Sequence, residues 1–330
     1  MSHNALPYEA ILAAFSARFG DRLRRNELLA NHTTLRLGGP ADIWLAVGSV
    51  TELVDAVTLA QQYDVAVFIL GGGANLLISD AGIRGLVIEN RARRVDFPAT
   101  IGTEAGWKVH ISTESGCVLP NLVRRCAKRG LSGLEWAVGV PGTVGGAVVN
   151  NAGAYGGDIA RNLVQAEVLS PTAERVWQPA SWFEYDYRSS RLKRYKLDRS
   201  RSVKTSNWVV LQAELQLTTA PLGEIDARLN AFNERRKASQ PPGATIGSMF
   251  KNPPGDYAGR LIETVGLKGY RVGQAQISPV HANFFQNLGR ATASDVMTLI
   301  NTARNAVAAQ LGVRLELEIE VIGEFDQETS

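Results

Sequence analysis

Apolar and polar positions recur along this chain with two different periods, and each change of period marks an element. In TELVDAVTLAQQY, Leu53, Val57 and Ala60 fall on one helical face, with Thr51 in the N-cap place. Ala10–Phe19 has the same helical period. VAVFIL (Val65–Leu70) is a short unbroken apolar run with β-branched residues, which predicts a buried strand, and LVIE (Leu86–Glu89) predicts another. LPNLVRRCAKRG predicts a helix with Pro120 in its first turn and Gly130 just past its end. WVVLQAELQL alternates strictly, placing Val209, Leu211, Ala213, Leu215 and Leu217 on one face of a strand.

Beyond Thr218-Thr219-Ala220-Pro221 the character changes. A helix over Gly223–Lys237, with Ile225, Leu229 and Phe232 aligned, runs into the break Gln240-Pro241-Pro242-Gly243. A helix over Asp256–Val265, a strand at HANFFQ, a helix from Thr292 to Leu311 closed by Gly312, and a last strand RLELEIEVIG follow. The pattern is α+β without an internal repeat. A chain of 330 residues can bury more than one core, so the reading is two domains, 1–218 (two subdomains split near 90) and 219–330.

Composition narrows the classes. With 45% hydrophobic and 20% charged residues the chain reads as soluble and globular, and no apolar run is long enough to span a bilayer. The net charge of +3 suits a small anionic ligand, but no dense basic block interleaved with aromatics points to nucleic acid. The basic segment Arg188–Lys204 reads as a solvated loop. Cys117 and Cys126 alone make neither a disulfide framework nor a zinc site; they read as buried thiols of a reducing compartment. The start of the chain lacks a secretory pattern, so a cytoplasmic location is expected.

The candidate chemistry begins with glycine. GVPGTVGGAVVNNAGAYGGD, from Gly139 to Asp158, carries little large apolar surface, and a second cluster, GGGANLL, spans Gly71–Leu77. Glycine lets the backbone turn left-handed and lets another group approach the peptide closely. The long stretch is either a run of tight turns or backbone shaped around a flat or anionic ligand, and the second cluster favours one extended ligand along both. The first cluster follows a strand but does not open a helix in the GxGxxG manner, so a nest of backbone N–H groups is the expected phosphate device.

Seven motifs in order give the chain a resemblance that covers nearly all of it. They are HTTLRLGGPAD from His32, LGGGANLLISDAGIRGLVI from Leu70, GLSGLEWAVGVPGTVGGAVVNNAGAYG from Gly130, YRSS from Tyr187, GSMFKNP from Gly247, ETVGLKGYRVGQAQISPVHANFFQN from Glu263 and LELEIEVIG from Leu315. The chain resembles the UDP-N-acetylenolpyruvoylglucosamine reductase (UDP-N-acetylmuramate dehydrogenase) family. The resemblance implies an FAD-binding domain of the vanillyl-alcohol-oxidase (PCMH) type followed by an α+β substrate-binding domain. It further implies transfer of hydride from NADPH through FAD to UDP-N-acetylglucosamine enolpyruvate. Covalent flavin attachment uses a histidine after the first glycines; Ala74 stands there, so noncovalent FAD is expected.

The cofactor residues implied are Gly71, Gly72, Gly73, Ala74, Asn75 and Leu76, with Gly139, Val140, Pro141, Gly142, Thr143, Gly145, Gly146, Asn150, Ala152 and Gly153. The family pattern gives Ser248 as proton donor and Arg188 as the cation on the substrate carboxylate. Gly247 is expected to let the Ser248 hydroxyl approach closely, although a serine bonded to its own loop fits the residues alone. Alternation puts Glu316, Glu318 and Glu320 on one face of the last strand without choosing among them; the family pattern selects Glu318. Lys251 and Asn252 are implied substrate contacts, followed by Tyr155, His281 and Asn283, with a core role for His281 equally open. The family's lysine before the serine motif has no clear counterpart among Arg236, Lys237 and Ser239, and the segment after Arg188 is longer and more basic than usual. Another flavin oxidoreductase of the superfamily is one alternative, which accounts for the first domain but not for GSMFKNP, Arg188 and Glu318 together; a non-catalytic binder of flavin or nucleotide sugar is the other, and the filling of all three catalytic positions argues against it.

Overall fold

The structure of the chain, a computed structural model, describes residues 8–102, 104–197 and 208–325. Two compact units emerge. The first comprises residues 1–27, 41–71 and 84–228, the second 28–40, 72–83 and 229–330. The second unit thus takes two early segments, one of them the loop that continues the first glycine cluster.

In the first unit a four-stranded sheet runs in the order Leu23–Leu28, Pro40–Val47, Ile83–Asn90, Val67–Leu70. The last two strands pair in parallel, Val67 opposite Leu86. Helices Tyr8–Phe19 and Val50–Gln62 bury Leu12, Phe15, Phe19, Leu53 and Val57 against Ile43, Leu45, Leu86 and Ile88. Burying a side chain of this size contributes roughly 1.5–3 kcal/mol. The cap of the second helix is Ser49, two residues before Thr51, because the Ser49 hydroxyl accepts the Glu52 N–H while Glu52 reaches back to the Gly48 N–H. The strand expected from Val65 begins at Val67, since the Val65 N–H still closes on Ala60 of that helix.

The second sheet of this unit has the order Arg175–Pro179, Leu163–Leu169, Val209–Thr219, Lys108–Glu114, Val95–Asp96. Its long central strand alternates as expected: Val209, Leu211, Ala213, Leu215 and Leu217 are buried. The helix Leu119–Ala127 has its proline in the first turn and Gly130 beyond it at φ +68°. It buries Cys126, whose thiol is pushed up to about 12, by burial first and by neighbouring Cys117 next. The basic segment is not all loop: Arg191–Leu197 is helical, with Arg191 and Arg194 both bonded to Glu184. Its continuation, 198–204, lies outside the described residues.

In the second unit an antiparallel sheet runs Ala244–Ser248, Phe284–Asn287, Ala275–Ile277, Arg271–Val272. Helices Ala258–Thr264 and Ala293–Leu311 pack on it through Ile262, Val296, Leu299, Ile300 and Val307 around Phe250 and Phe285. The long helix has a capping box, Thr292 with Asp295, and ends on Gly312 at φ +68°. The helix Leu222–Ser239, which starts in the first unit and ends in the second, buries only Ile225 fully. Expected as one long strand, 314–323 pairs as a strand only over Glu320–Ile322, in parallel with Leu76–Ile78. The preceding residues bond instead to the loop after Ser248. Among the described residues no helix is long and apolar enough to cross a membrane.

Candidate active site

The glycine-rich stretch of the first unit is shaped by hydrogen bonds to its neighbours. Gly142 lies at φ +117°, its carbonyl accepts the Leu119 N–H at 3.0 Å, and the Gly145 N–H reaches Ser115 at 2.8 Å. A short helix follows, Val144–Asn150, with the Thr143 hydroxyl accepting the Gly146 N–H. One helical segment therefore stands within the glycine-rich stretch. Gly71 comes directly against Thr143: a Cβ on Gly71 would sit 2.6 Å from the Thr143 hydroxyl oxygen. At this point the two glycine clusters meet. Asn150 donates to the Gly146 carbonyl at 3.0 Å, but its amide oxygen is buried and accepts nothing. A buried acceptor without a donor is costly unless a ligand supplies one.

After the helix the chain makes a minimal hairpin, Gly153–Ala154 with Gly157–Asp158, whose two turn residues Tyr155 and Gly156 both have positive φ. Arg188 lies beside it, with its guanidinium donating to the Gly153 carbonyl and resting 5.2 Å from the Tyr187 ring centroid. Arg188 itself has φ +51°, uncommon for a residue with a side chain, and Asp186 and Ser189 bond each other's backbone across it at 3.1 Å. Three side chains that the sequence does not advertise anchor this loop to the glycine stretch. Tyr185 donates to the Val148 carbonyl and Ser190 to that of Val149, while Asn151 donates to the Asp186 carbonyl at 2.9 Å. Burial, with the Asp158 charge behind it, raises the Tyr185 phenol far above its usual range, so it stays a donor.

In the second unit Ser248 ends a strand that carries a bulge. Thr245 pairs with Gln286 and Ser248 with Phe284, so three steps on one strand match two on the other. Gly247 takes up the extra residue at φ +82°, and nothing lies within 4 Å of a Cβ placed there. Its left-handed backbone re-aims Ser248. The loop after Ser248 runs antiparallel to the segment of the three glutamates. The Lys251 N–H donates to Glu316 at 2.9 Å, Phe250 bridges Leu317, and the Glu318 N–H donates to the Met249 carbonyl at 2.9 Å. Glu316 is exposed and lies 3.4 Å from the Lys251 ammonium, whereas Glu318 is half-buried. The structure thus brings Ser248, Lys251 and Glu318 together.

The other candidates of this unit have mixed duties. Asn252 accepts the Ala258 N–H at 3.1 Å and so caps a helix. Asn283 is 2% exposed, and its amide is committed to one peptide unit pair: it accepts the Phe250 N–H at 2.9 Å and donates to the Phe250 carbonyl at 2.8 Å. His281 stands against Gly259, where a Cβ would be 2.8 Å from its ring, and its Nδ1 accepts the Asn283 N–H at 3.2 Å. Burial lowers its pKa, so the ring is neutral at pH 7 with the proton on Nε2. Gly73 has φ +59°, and a Cβ there would lie 2.0 Å from the His32 carbonyl oxygen. Asn75 and Leu76 lead into the parallel pairing with Glu320–Ile322. Of the residues near the missing lysine, Lys237 is exposed and pairs with Glu234.

A backbone cradle in which Gly71 is packed against Thr143, next to an orphaned amide acceptor, fits a nucleotide-type cofactor. Residues 41–178 match the model of an FAD binding domain, and residues 239–322 match that of the UDP-N-acetylenolpyruvoylglucosamine reductase C-terminal domain. The chain is 42% identical over 300 residues to UDP-N-acetylenolpyruvoylglucosamine reductase of Chloroflexus aggregans, covering 91% of this chain and 97% of that one. To the reductase of Bacillus subtilis it is 36% identical over 316 residues, 96% and 99% of the two chains. The crystal structure of the Thermus caldophilus enzyme, 36% identical, superposes with a TM-score of 0.73 over 91% of this chain and 100% of that one. The α+β class with an FAD-binding domain is therefore as the sequence led one to expect. The chain belongs to the UDP-N-acetylenolpyruvoylglucosamine reductase family.

Proposed function

We propose that this protein reduces UDP-N-acetylglucosamine enolpyruvate to UDP-N-acetylmuramate at the expense of NADPH, with noncovalent FAD, in the cytoplasmic supply of peptidoglycan precursors for cell-wall growth, shape and division. The observation that carries this reading is the bulge at Gly247, which fixes Ser248 beside the segment bearing Glu318. Gly71, Gly72, Gly73, Ala74, Asn75 and Leu76, together with residues of Gly139–Gly153, are the cofactor contacts, and the unpaired amide oxygen of Asn150 is a ready acceptor for it. Bound there, FAD supplies hydride transfer from NADPH to the enolpyruvyl double bond.

The protein's own residues must handle the charge and the proton. Adding hydride to the terminal carbon of the enolpyruvyl group leaves negative charge spread over the adjacent carbon and carboxylate. Arg188 offers a planar fork of donors that grips that carboxylate at two points and stabilises the charge. The Ser248 hydroxyl donates the proton to the carbon. Glu318 assists on the enolate or in returning a proton to the serine. Lys251 offers a cation for the diphosphate, and Tyr155, Asn252 and His281 complete the substrate contacts, while Asn283 holds the serine loop.

Stopped-flow separation of the two half-reactions tests these roles. Ser248→Ala should slow reoxidation by the enolpyruvyl sugar nucleotide by about 10²–10⁴, the range of a lost general acid, and slow reduction by NADPH far less. Equal slowing of both halves would remove Ser248 from the proton transfer.

A further inference from the structure

The loop at residue 75 is laced to a glutamate more than two hundred positions further along the chain. Both peptide groups of Glu318 are held, and by different segments. Its N–H donates to the Met249 carbonyl at 2.9 Å, next to Ser248. Its carbonyl accepts the side-chain amide of Asn75 at 3.3 Å. Asn75 also takes the following turn of the strand, since its own carbonyl accepts the Glu320 N–H at 2.9 Å. Asn75 therefore grips the two peptides that flank Ile319, a side chain buried to 5% exposure. From there the register continues, Leu76 opposite Glu320 and Ile78 opposite Ile322, and the Ser79 N–H closes on the Ile322 carbonyl at 2.9 Å. The loop cannot slide without breaking this ladder, and Gly73 at its start is pressed against the His32 carbonyl.

We propose that Asn75 is a positioning residue that couples the cofactor-binding loop to Glu318, so that occupancy of the loop sets the backbone of the glutamate. This rests on the roles given above to the loop and to Glu318. Its physical content is linkage: whatever orders residues 72–78 also orders 318–322, because the two share hydrogen bonds. An asparagine suits the place because the Glu318 carbonyl needs a donor, and its side chain reaches from a residue whose backbone is engaged one step further along. Aspartate would set a carboxylate against that carbonyl, and alanine would leave it without this partner.

The test uses the full-length protein, stripped of flavin and reloaded with FAD, with peptide-resolved amide hydrogen exchange over 316–322. Wild type should exchange more slowly in this segment with FAD than without. In FAD-loaded Asn75→Ala and Asn75→Asp the segment should exchange about fivefold faster, one hydrogen bond's worth. Reoxidation by the enolpyruvyl sugar nucleotide should slow by a similar factor, several times more than reduction by NADPH. If neither variant retains FAD, the wild-type comparison decides alone: no FAD-dependent protection of 316–322 overturns the proposal. Wild-type exchange and reoxidation in both variants, beside a slow Glu318→Gln, overturns the positioning role only. Wild-type reoxidation in Glu318→Gln removes the glutamate from the reaction, and the catalytic consequence of the coupling goes with it.

Discussion

Asn283 offers the most exacting test of how the serine loop is held. Its amide accepts one hydrogen bond and donates another, at 2.9 and 2.8 Å, both to Phe250, and both residues are almost wholly buried. Asn283→Ala would leave a buried N–H and a buried carbonyl unpaired. Each costs about 1–3 kcal/mol, so the loss should be about 2–6 kcal/mol, a large share of a domain's roughly 5–15 kcal/mol. Asn283→Asp separates the hydrogen bonds from the shape. Protonated, the carboxyl can still donate to the Phe250 carbonyl and accept its N–H; ionised, it turns an oxygen lone pair on that carbonyl in a buried site. Its folded-state pKa must therefore rise above the ordinary value of about 3.9. A raised carboxyl pKa means that the folded state binds more protons than the unfolded one, so stability falls as pH rises through the folded value. Urea unfolding by far-UV circular dichroism at about pH 5 and about pH 8 reads this as the difference between variant and wild type, which cancels other titrating groups. The Ala deficit should be alike at both pH values, and the Asp deficit should grow by about 1 kcal/mol or more at the higher. Two variants within about 0.5 kcal/mol of wild type, or an Asp deficit flat with pH, would refute the clamp.

Three further outcomes follow from other contacts. Gly73→Ala, which meets the His32 carbonyl at 2.0 Å, should abolish FAD retention, whereas Gly156→Ala, with open space around it, should cost only the left-handed strain of about 1–2 kcal/mol; the flavin-to-protein absorbance ratio compares them. Burial pushes the Glu135 carboxyl up, but the Gly133 N–H, its own backbone N–H, the Ser132 hydroxyl and Arg228 outweigh it and hold the pKa below the usual range. Its contribution is thus complete above about pH 4.3 and fades as pH falls through the folded value; Arg228→Ala should move acid unfolding to higher pH at a cost of about 1 kcal/mol, small because the guanidinium is half in solvent. Cys126 and Cys117, both raised by burial, should resist iodoacetamide in the folded protein and react only with unfolding, as mass spectrometry would show.

Local chemistry was legible in the sequence, and long-range pairing was not. The helix closing on Gly312 is bounded by groups within a few residues of its ends, Thr292, Asp295 and a left-handed glycine, so its limits could be read within one residue. The alternation of Val209–Thr219 survives because one face of that strand is buried along its whole length. The segment Leu315–Glu320 also alternates, with Leu315 and Ile319 buried, yet its partners are the Met249–Lys251 loop and Asn75, which no periodicity can reveal. The helix at Arg191–Leu197 forms in a run of cations because Leu192 is buried and Glu184 takes two of the arginines. The candidate site shows the same division. Glycine clusters and the family motifs pointed to the candidate ligand-binding residues, while their supports, Tyr185, Asn151, Ser190 and the side chain of Asn75, needed the fold to be seen.

The central claim, a flavin-dependent reductase of an enolpyruvyl sugar nucleotide, is tested most directly by the visible spectrum of the purified protein under anaerobic conditions. The account predicts a yellow protein with bound FAD that bleaches on addition of NADPH and regains its colour on addition of UDP-N-acetylglucosamine enolpyruvate. A protein that takes up no FAD, or one that bleaches with NADPH and stays bleached when the sugar nucleotide is added, would contradict it.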